Sequence, residues 1–283
     1  MRVKKLKEQE GKLLIFGGVY SNFEALKSLR KKAELLGIPP DQIFCTGDVV
    51  AYCAEPAACI DEMLDWGIHC IAGNVELNLL NKADDCGCNF NEGSRCDLFS
   101  KNWYPYVKSK LESRHQTFLE SLPEFLSFNY HKKQVFMLHG GLENTSAYVF
   151  KSSPWELKKD VFEKTESDVI IAGHCGLPFH DQFEGKDWIN AGVIGMPAND
   201  GKTNTWYALL DIENNELQLE FCQLNYDHVR TAEHMEKAGL PLAYAKTLRD
   251  GIWDNCEILP DWETSQQGRN LLLDKKPLDP HLI

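Results

Sequence analysis

The chain has 283 residues, 43% of them hydrophobic, which is enough for a sizeable core, and a formal net charge of −12. That charge argues against a nucleic-acid-binding surface, which is basic, but not against a phosphate substrate, because a bound cation can supply positive charge locally. No apolar run reaches the ~18 residues of a membrane span, and the basic start Met1-Arg2-Val3-Lys4-Lys5-Leu6-Lys7 lacks the apolar stretch of an export signal. The expected setting is therefore the cytoplasm, where the ten cysteines stay reduced. Cys45, Cys59, Cys70 and Cys222 lie in or near apolar runs and read as buried thiols.

In chain order, residues 12–17 read as a buried strand ending in glycine. Residues 22–36 read as an amphipathic helix with Leu26, Leu29 and Leu36 on one stripe, ended by Gly37-Ile38-Pro39-Pro40. A second strand is expected over 42–46, a second helix over 56–66 with Ile60, Met63 and Leu64 facing in, and a third strand over 68–72. This alternation predicts parallel pairing with right-handed crossovers. Residues 77–128 read as a helical insertion over the strand ends, with Cys86, Cys88 and Cys96 in its loops and helices over 97–110 and 114–121. Further strands are expected at 135–138, 168–172, 188–190, 205–212 and 216–224, the last two joined by a turn at Glu213-Asn214-Asn215. The polar tail after Trp253 is expected to wrap the surface. With no internal repeat or low-complexity linker, residues 1–283 read as one α/β domain.

Four polar groups follow four of these strands: Gly47-Asp48, Gly73-Asn74, His139-Gly140 and Gly173-His174. Strand ends of an α/β fold converge, so Asp48, Asn74, His139 and His174 form one cage. Carboxylate, amide oxygen and imidazole together suit a divalent cation that must also accept a phosphate oxygen. Taken singly, Asp48 also fits a turn residue, Asn74 a helix cap and His139 a core histidine.

The order and spacing of these motifs resemble those of the calcineurin-like metallophosphoesterases. Tyr52 and Glu55-Pro56 match the extension of that family's Gly-Asp motif, and the segment from Ile189 to Pro197 resembles its Gly-Pro-containing segment. The strand at Trp206–Asp211 and the stretch Tyr226-Asp227 with Ala238-Gly239-Leu240-Pro241 resemble the close of small bacterial members. The resemblance implies two sheets flanked by helices and one metal position held by Asp48, Asn74, His139 and His174, with Asp48, Asn74 and His139 at the chemistry. It also implies a second metal position that keeps only Asp48. Gly18 and Tyr20 stand where the family has Asp-x-His, Val75 replaces the histidine near the leaving group, and Gly176 replaces the last histidine. Tyr20 then either lines the pocket or ligates through a phenolate.

Cys86, Cys88 and Cys96 form a second group, read as a metal or redox cluster or as loop thiols. Cys53 and Cys175 fall inside the motifs and offer substitute ligands for the depleted position, or simply pack. The expected function is hydrolysis of a phosphate mono- or diester, on a phosphorylated small molecule or other phosphoester, with Mn, Fe, Zn or Mg as cofactor. The alternative is a catalytically silent homologue that binds metal, phosphate or a protein partner.

Overall fold

The computed structural model describes residues 2–88, 90–213, 216–271 and 273. The chain runs β1 (Val3–Lys5), β2 (Leu13–Phe16), α1 (Phe23–Leu35), β3 (Ile43–Cys45), α2 (Pro56–Trp66), β4 (His69–Cys70) and α3 (Asn74–Leu80). Next come α4 (Arg95–Lys110), α5 (Ser113–Ser121), β5 (Phe125–Tyr130), β6 (Lys133–Met137), α6 (Trp155–Thr165) and β7 (Val169–Ala172). It continues through β8 (Pro178–Phe183), β9 (Lys186–Ala191), β10 (Thr205–Glu213), β11 (Glu216–Leu224), α7 (His228–Lys237), α8 (Leu242–Asp250) and α9 (Asp261–Ser265).

Two sheets form, in the strand orders β1-β5-β6-β7-β9-β8 and β11-β10-β2-β3-β4. Strands β2, β3 and β4 pair in parallel, as do β6, β7 and β9. The period-2 geometry of a strand explains why β2 is apolar at every position. Leu13 and Ile15 face the layer between the sheets, where they share a core with Phe128, Val135, Met137 and Ile171. Leu14 and Phe16 face outward, into the core formed with Leu26 and Leu29 of α1 and Ile60 and Met63 of α2. On the far side, Phe136, Ile170 and Trp188 pack with Val161 and Phe162 of α6. The result is the expected helix-flanked two-sheet sandwich.

Several local expectations change. Leu36 is the C-cap, past the end of α1, and is exposed, and Leu64 is exposed at the edge of the buried stripe of α2. The helix α1 starts one residue late because Asn22 is its cap, accepting the Ala25 N–H at 3.1 Å and donating to the Gly195 carbonyl at 3.0 Å. Strand β4 is two residues long, since Ile71 and Ala72 already turn toward the loop that delivers Asn74. Three strands, β1, β5 and β8, and helix α6 were not expected. Strand β1 is exposed and exists only through its parallel pairing with β5, while α6 hides its apolar stripe among charges. The tail does pack, through Trp253, Leu259 and α9, with Glu263 accepting both the N–H and the hydroxyl of Ser152. The Asn214-Asn215 turn and the last stretch of the tail lie outside the described residues.

Candidate metal centre

The loops after β3, β4, β6 and β7 meet at one end of the sandwich. Two glycines allow the first pair to touch. A Cβ on Gly47 would lie 2.5 Å from the Gly73 nitrogen, and one on Gly73 would run into the Asp48 carboxylate. Glu76 then ties these loops together. Its Oε2 accepts the N–H groups of Asp48 (2.9 Å) and Gly73 (2.8 Å), and its Oε1 accepts that of Val50 (3.2 Å). Glu76 is fully buried, and burial followed by the nearby Asp48 charge pushes it up to about 7. Asp48 (φ +55°) and His174 (φ +62°) both sit in the left-handed region, an uncommon conformation that the surrounding loops impose.

The four expected residues come together. His139 Nε2 lies 3.1 Å from Asn74 Oδ1, 3.1 Å from His174 Nδ1 and 3.3 Å from Asp48 Oδ2. Among the described residues, the group of three or more His, Cys, Asp or Glu side chains whose ligand atoms all lie within 4.8 Å of one another is Asp48, His139 and His174. All three are buried. His139 Nδ1 lies 2.6 Å from the Thr46 carbonyl, which can only accept, so Nδ1 carries a proton. In the neutral ring Nε2 is then a lone pair. It faces a carboxylate oxygen and an amide oxygen, which can only accept, and the Nδ1 of His174, which can donate to it only in the tautomer that carries the proton there. The amide orientation of Asn74 is set from behind, because Nδ2 donates to the Cys86 carbonyl (2.9 Å) and to Cys88 Sγ (3.2 Å).

Such converging lone pairs are stable only around a proton or a cation. The titration behaviour follows. Burial would push His139 down, but Asp48 and the Thr46 carbonyl outweigh it and hold His139 above the usual imidazole range. Burial would raise Asp48, yet the two histidines and the Val75 N–H keep it below the usual carboxylate range. Burial and then His139 push His174 down to about 3, so it stays neutral and ready to ligate. Two imidazoles, a carboxylate and an amide oxygen fit Zn, Fe or Mn better than an all-oxygen set would.

The other side of Asp48 is built differently. A Cβ on Gly18 would lie 2.5 Å from the Tyr20 ring, so the phenol fills the space beside Gly18. Burial, followed by Asp48, raises the Tyr20 hydroxyl well above 10, which keeps it neutral. At Gly176 a Cβ would meet the Trp253 ring at 3.3 Å. Val75 is buried beside Asp48, with its N–H 3.5 Å from Asp48 Oδ1.

The cysteines divide. Cys86 and Cys88 are buried with Sγ atoms 2.8 Å apart, behind Asn74. Cys96 is instead in the first turn of α4, with Sγ 3.5 Å from Asn255 Oδ1, and it reaches the cleft from another side. Cys53 packs in the core with Sγ 4.0 Å from the Gly195 carbonyl, and burial raises its thiol strongly. Cys175 receives Asn190 Nδ2 at 3.2 Å, and burial pushes it up to about 12.

Sequence reasoning missed the groups around the cage. In the sequence Glu76 reads as a candidate to replace the proton donor lost at Val75 or as a cap of the helix that follows; the capping contact with Gly73 is present, but its grip on the Asp48 and Val50 amides is not foreseen. Tyr148, whose ring lies 4.3 Å from that of His174, has no motif to betray it. Tyr244 and Trp253 reach the site from the C-terminal segments.

A family model described as the calcineurin-like phosphoesterase superfamily domain matches residues 12–215. The chain belongs to that superfamily, whose members work with divalent metals. An uncharacterized protein of Methanocaldococcus jannaschii is 26% identical over 247 residues, 81% of this chain and 93% of that protein. A hypothetical protein of Pyrococcus horikoshii superposes with a TM-score of 0.72 at 19% identity, over 86% of this chain and 99% of its own. A metallophosphoesterase of Sphaerobacter thermophilus gives 0.67 at 20% identity, over 86% of this chain and all of its own. These two structures are similar in fold.

Proposed function

We propose that this chain is a phosphoesterase working with one firmly held divalent cation, bound by Asp48, Asn74, His139 and His174, and with its second cation position closed. The convergence of two acceptors, Asp48 Oδ2 and Asn74 Oδ1, on His139 Nε2 carries the reading, because a cation placed among them would satisfy all three atoms at once. When bound, the cation supplies Lewis acidity toward a phosphoryl oxygen and lowers the pKa of a coordinated water. The protein's part is to fix the ligand geometry through Glu76, Thr46 and Cys88 and to exclude bulk water with the rings of Tyr20 and Tyr148. The ring of Tyr20 beside Gly18 and that of Trp253 over Gly176 support a closed second position. Val75 offers no proton to a leaving group. A general acid is worth roughly 10²–10⁴-fold, so esters of good leaving groups should turn over and alkyl esters hardly at all.

The test is metal content together with turnover. Protein purified without added metal should carry about one equivalent, Asp48→Asn should carry none while remaining folded, and p-nitrophenyl phosphate hydrolysis should stop in that variant and in chelator. Two equivalents with leaving-group-independent turnover would overturn the closed-site reading. Full metal loading without turnover on any ester would favour a silent binding protein.

A further inference from the structure

The cage opens into a cleft of about 90 Å³ that is partly open to solvent. Its floor is Asp48 and His174. Its walls carry the rings of Tyr20, Tyr52, Tyr148, Tyr244, Trp253 and Phe90. These rings are arranged rather than merely present. Tyr20 meets Tyr52 edge-on (4.7 Å, 86°), and Tyr52 meets Tyr244 edge-on (4.9 Å, 71°). The Trp253 indole is locked by its Nε1 donating to the Pro197 carbonyl at 2.7 Å, and Tyr148 by its hydroxyl donating to the Cys88 carbonyl at 3.2 Å. Except for Tyr20, which is buried, each of these rings is half-buried, with surface left over for a guest.

Charge points the same way. Among the described residues lining the cleft there is no Lys or Arg, while Asp48 and Asp254 are acidic. The nearby guanidinium of Arg95 is engaged by Asp254 and lies over the Phe99 ring at 5.0 Å. Burial raises the Tyr52 and Tyr244 hydroxyls well above 10, so the walls stay uncharged at neutral pH. A second anionic group on the substrate would find no counter-charge beyond the cage.

We infer that the substrate is a phosphate ester whose alcohol side carries a planar, uncharged aromatic ring, received by the Tyr52, Tyr244 and Trp253 walls while the single phosphate sits at the cage. This rests on the cation site proposed above and adds what the cleft selects. Rings pair favourably edge-on or offset beyond the area they bury, and stacking of this kind is worth about tenfold in affinity.

Non-hydrolysable phosphonates separate ring recognition from leaving-group chemistry. Zn²⁺-loaded protein would be titrated calorimetrically with methylphosphonate, benzylphosphonate, cyclohexylmethylphosphonate and 4-carboxybenzylphosphonate. Benzyl and cyclohexylmethyl present six-membered rings of similar area, so their difference isolates aromaticity. Benzylphosphonate should bind about tenfold tighter than the cyclohexyl compound. Tyr244→Leu and Trp253→Leu, at unchanged Zn²⁺ content, should each remove most of that preference, and the added carboxylate should weaken binding several-fold. Equal affinity for the two ring compounds, with methylphosphonate still bound, would overturn this inference and leave the cation site intact. Unimpaired binding of the carboxylated ring would overturn the requirement for an uncharged group. Failure of Zn²⁺-loaded protein to bind any phosphonate would overturn both readings.

Discussion

Glu76 holds Asp48 by its main chain: one carboxylate oxygen accepts the Asp48 N–H at 2.9 Å. The same side chain takes the Gly73 and Val50 amides, so its removal strands three buried donors. Each such donor costs roughly 1–3 kcal/mol when unpaired. Glu76→Ala should therefore lose about 3 kcal/mol or more in urea denaturation, although Glu76 touches no substrate. Glu76→Gln should lose less, because its amide keeps one accepting oxygen. An alanine variant as stable as the parent would show that the loops hold themselves.

Proton and cation compete for the same place on His139. Because Asp48 and the Thr46 carbonyl hold His139 above the usual imidazole range, competition starts at a higher pH than for an ordinary histidine. The cation binds the deprotonated ring, so affinity should fall as pH falls, with the decline already under way above about 6.5. A Zn²⁺ or Mn²⁺ titration between pH 8 and 5 reads this directly. A flat profile across that range would remove His139 from the ligand set.

Cys88 acts on the cage through Asn74, whose Nδ2 it receives at 3.2 Å. Groups that orient a ligand from behind are typically worth 10–100-fold in metal affinity. Cys88→Ala leaves the Cys86 carbonyl as the remaining partner, so the loss should fall near tenfold. Cys96→Ser, on α4, should leave metal affinity unchanged. Equal losses in the two variants would mean that the thiols act together after all.

Gly18 and Tyr20 should be strongly non-additive. Gly18→Asp alone forces a Cβ into the Tyr20 ring and should destabilise by about 1–3 kcal/mol, as overpacking does. Gly18→Asp with Tyr20→His removes the ring, recovers part of that loss and restores two ligand types beside Asp48. Thermal unfolding and metal analysis of the pair should show partial recovery and more than one cation per chain. Additive destabilisation with unchanged metal content would show that Val193, 2.9 Å from the same Cβ, closes the position instead.

The sandwich was legible because its central strands are apolar, and four of the strand ends carry a glycine beside a polar residue; Asp48, Asn74, His139 and His174 all follow such runs. What stayed hidden has no local signature. Strand β1 is three exposed residues that become a strand only against β5. Leu36 and Leu64 fit a helical stripe by count, yet the stripe's edge faces solvent. The aromatic walls of the cleft come from segments as far apart as Tyr20 and Trp253, and only tertiary packing brings them together. Glu76 could be seen as a cap, but nothing in spacing reveals that it also grips the loop of Asp48 and Val50.

Asp48 and Asn74 hang from strands of one sheet, His139 and His174 from strands of the other. A cation held by all four is thus a rivet across the seam between the sheets, and it can form only once segments more than a hundred residues apart have docked. Binding to the folded chain alone shifts the folding equilibrium by mass action, by about 4 kcal/mol at a thousandfold excess over Kd. The same ion proposed for the chemistry would then also set how firmly the two halves of the sandwich stay shut, so the metal-free chain should unfold at a lower temperature than the loaded one.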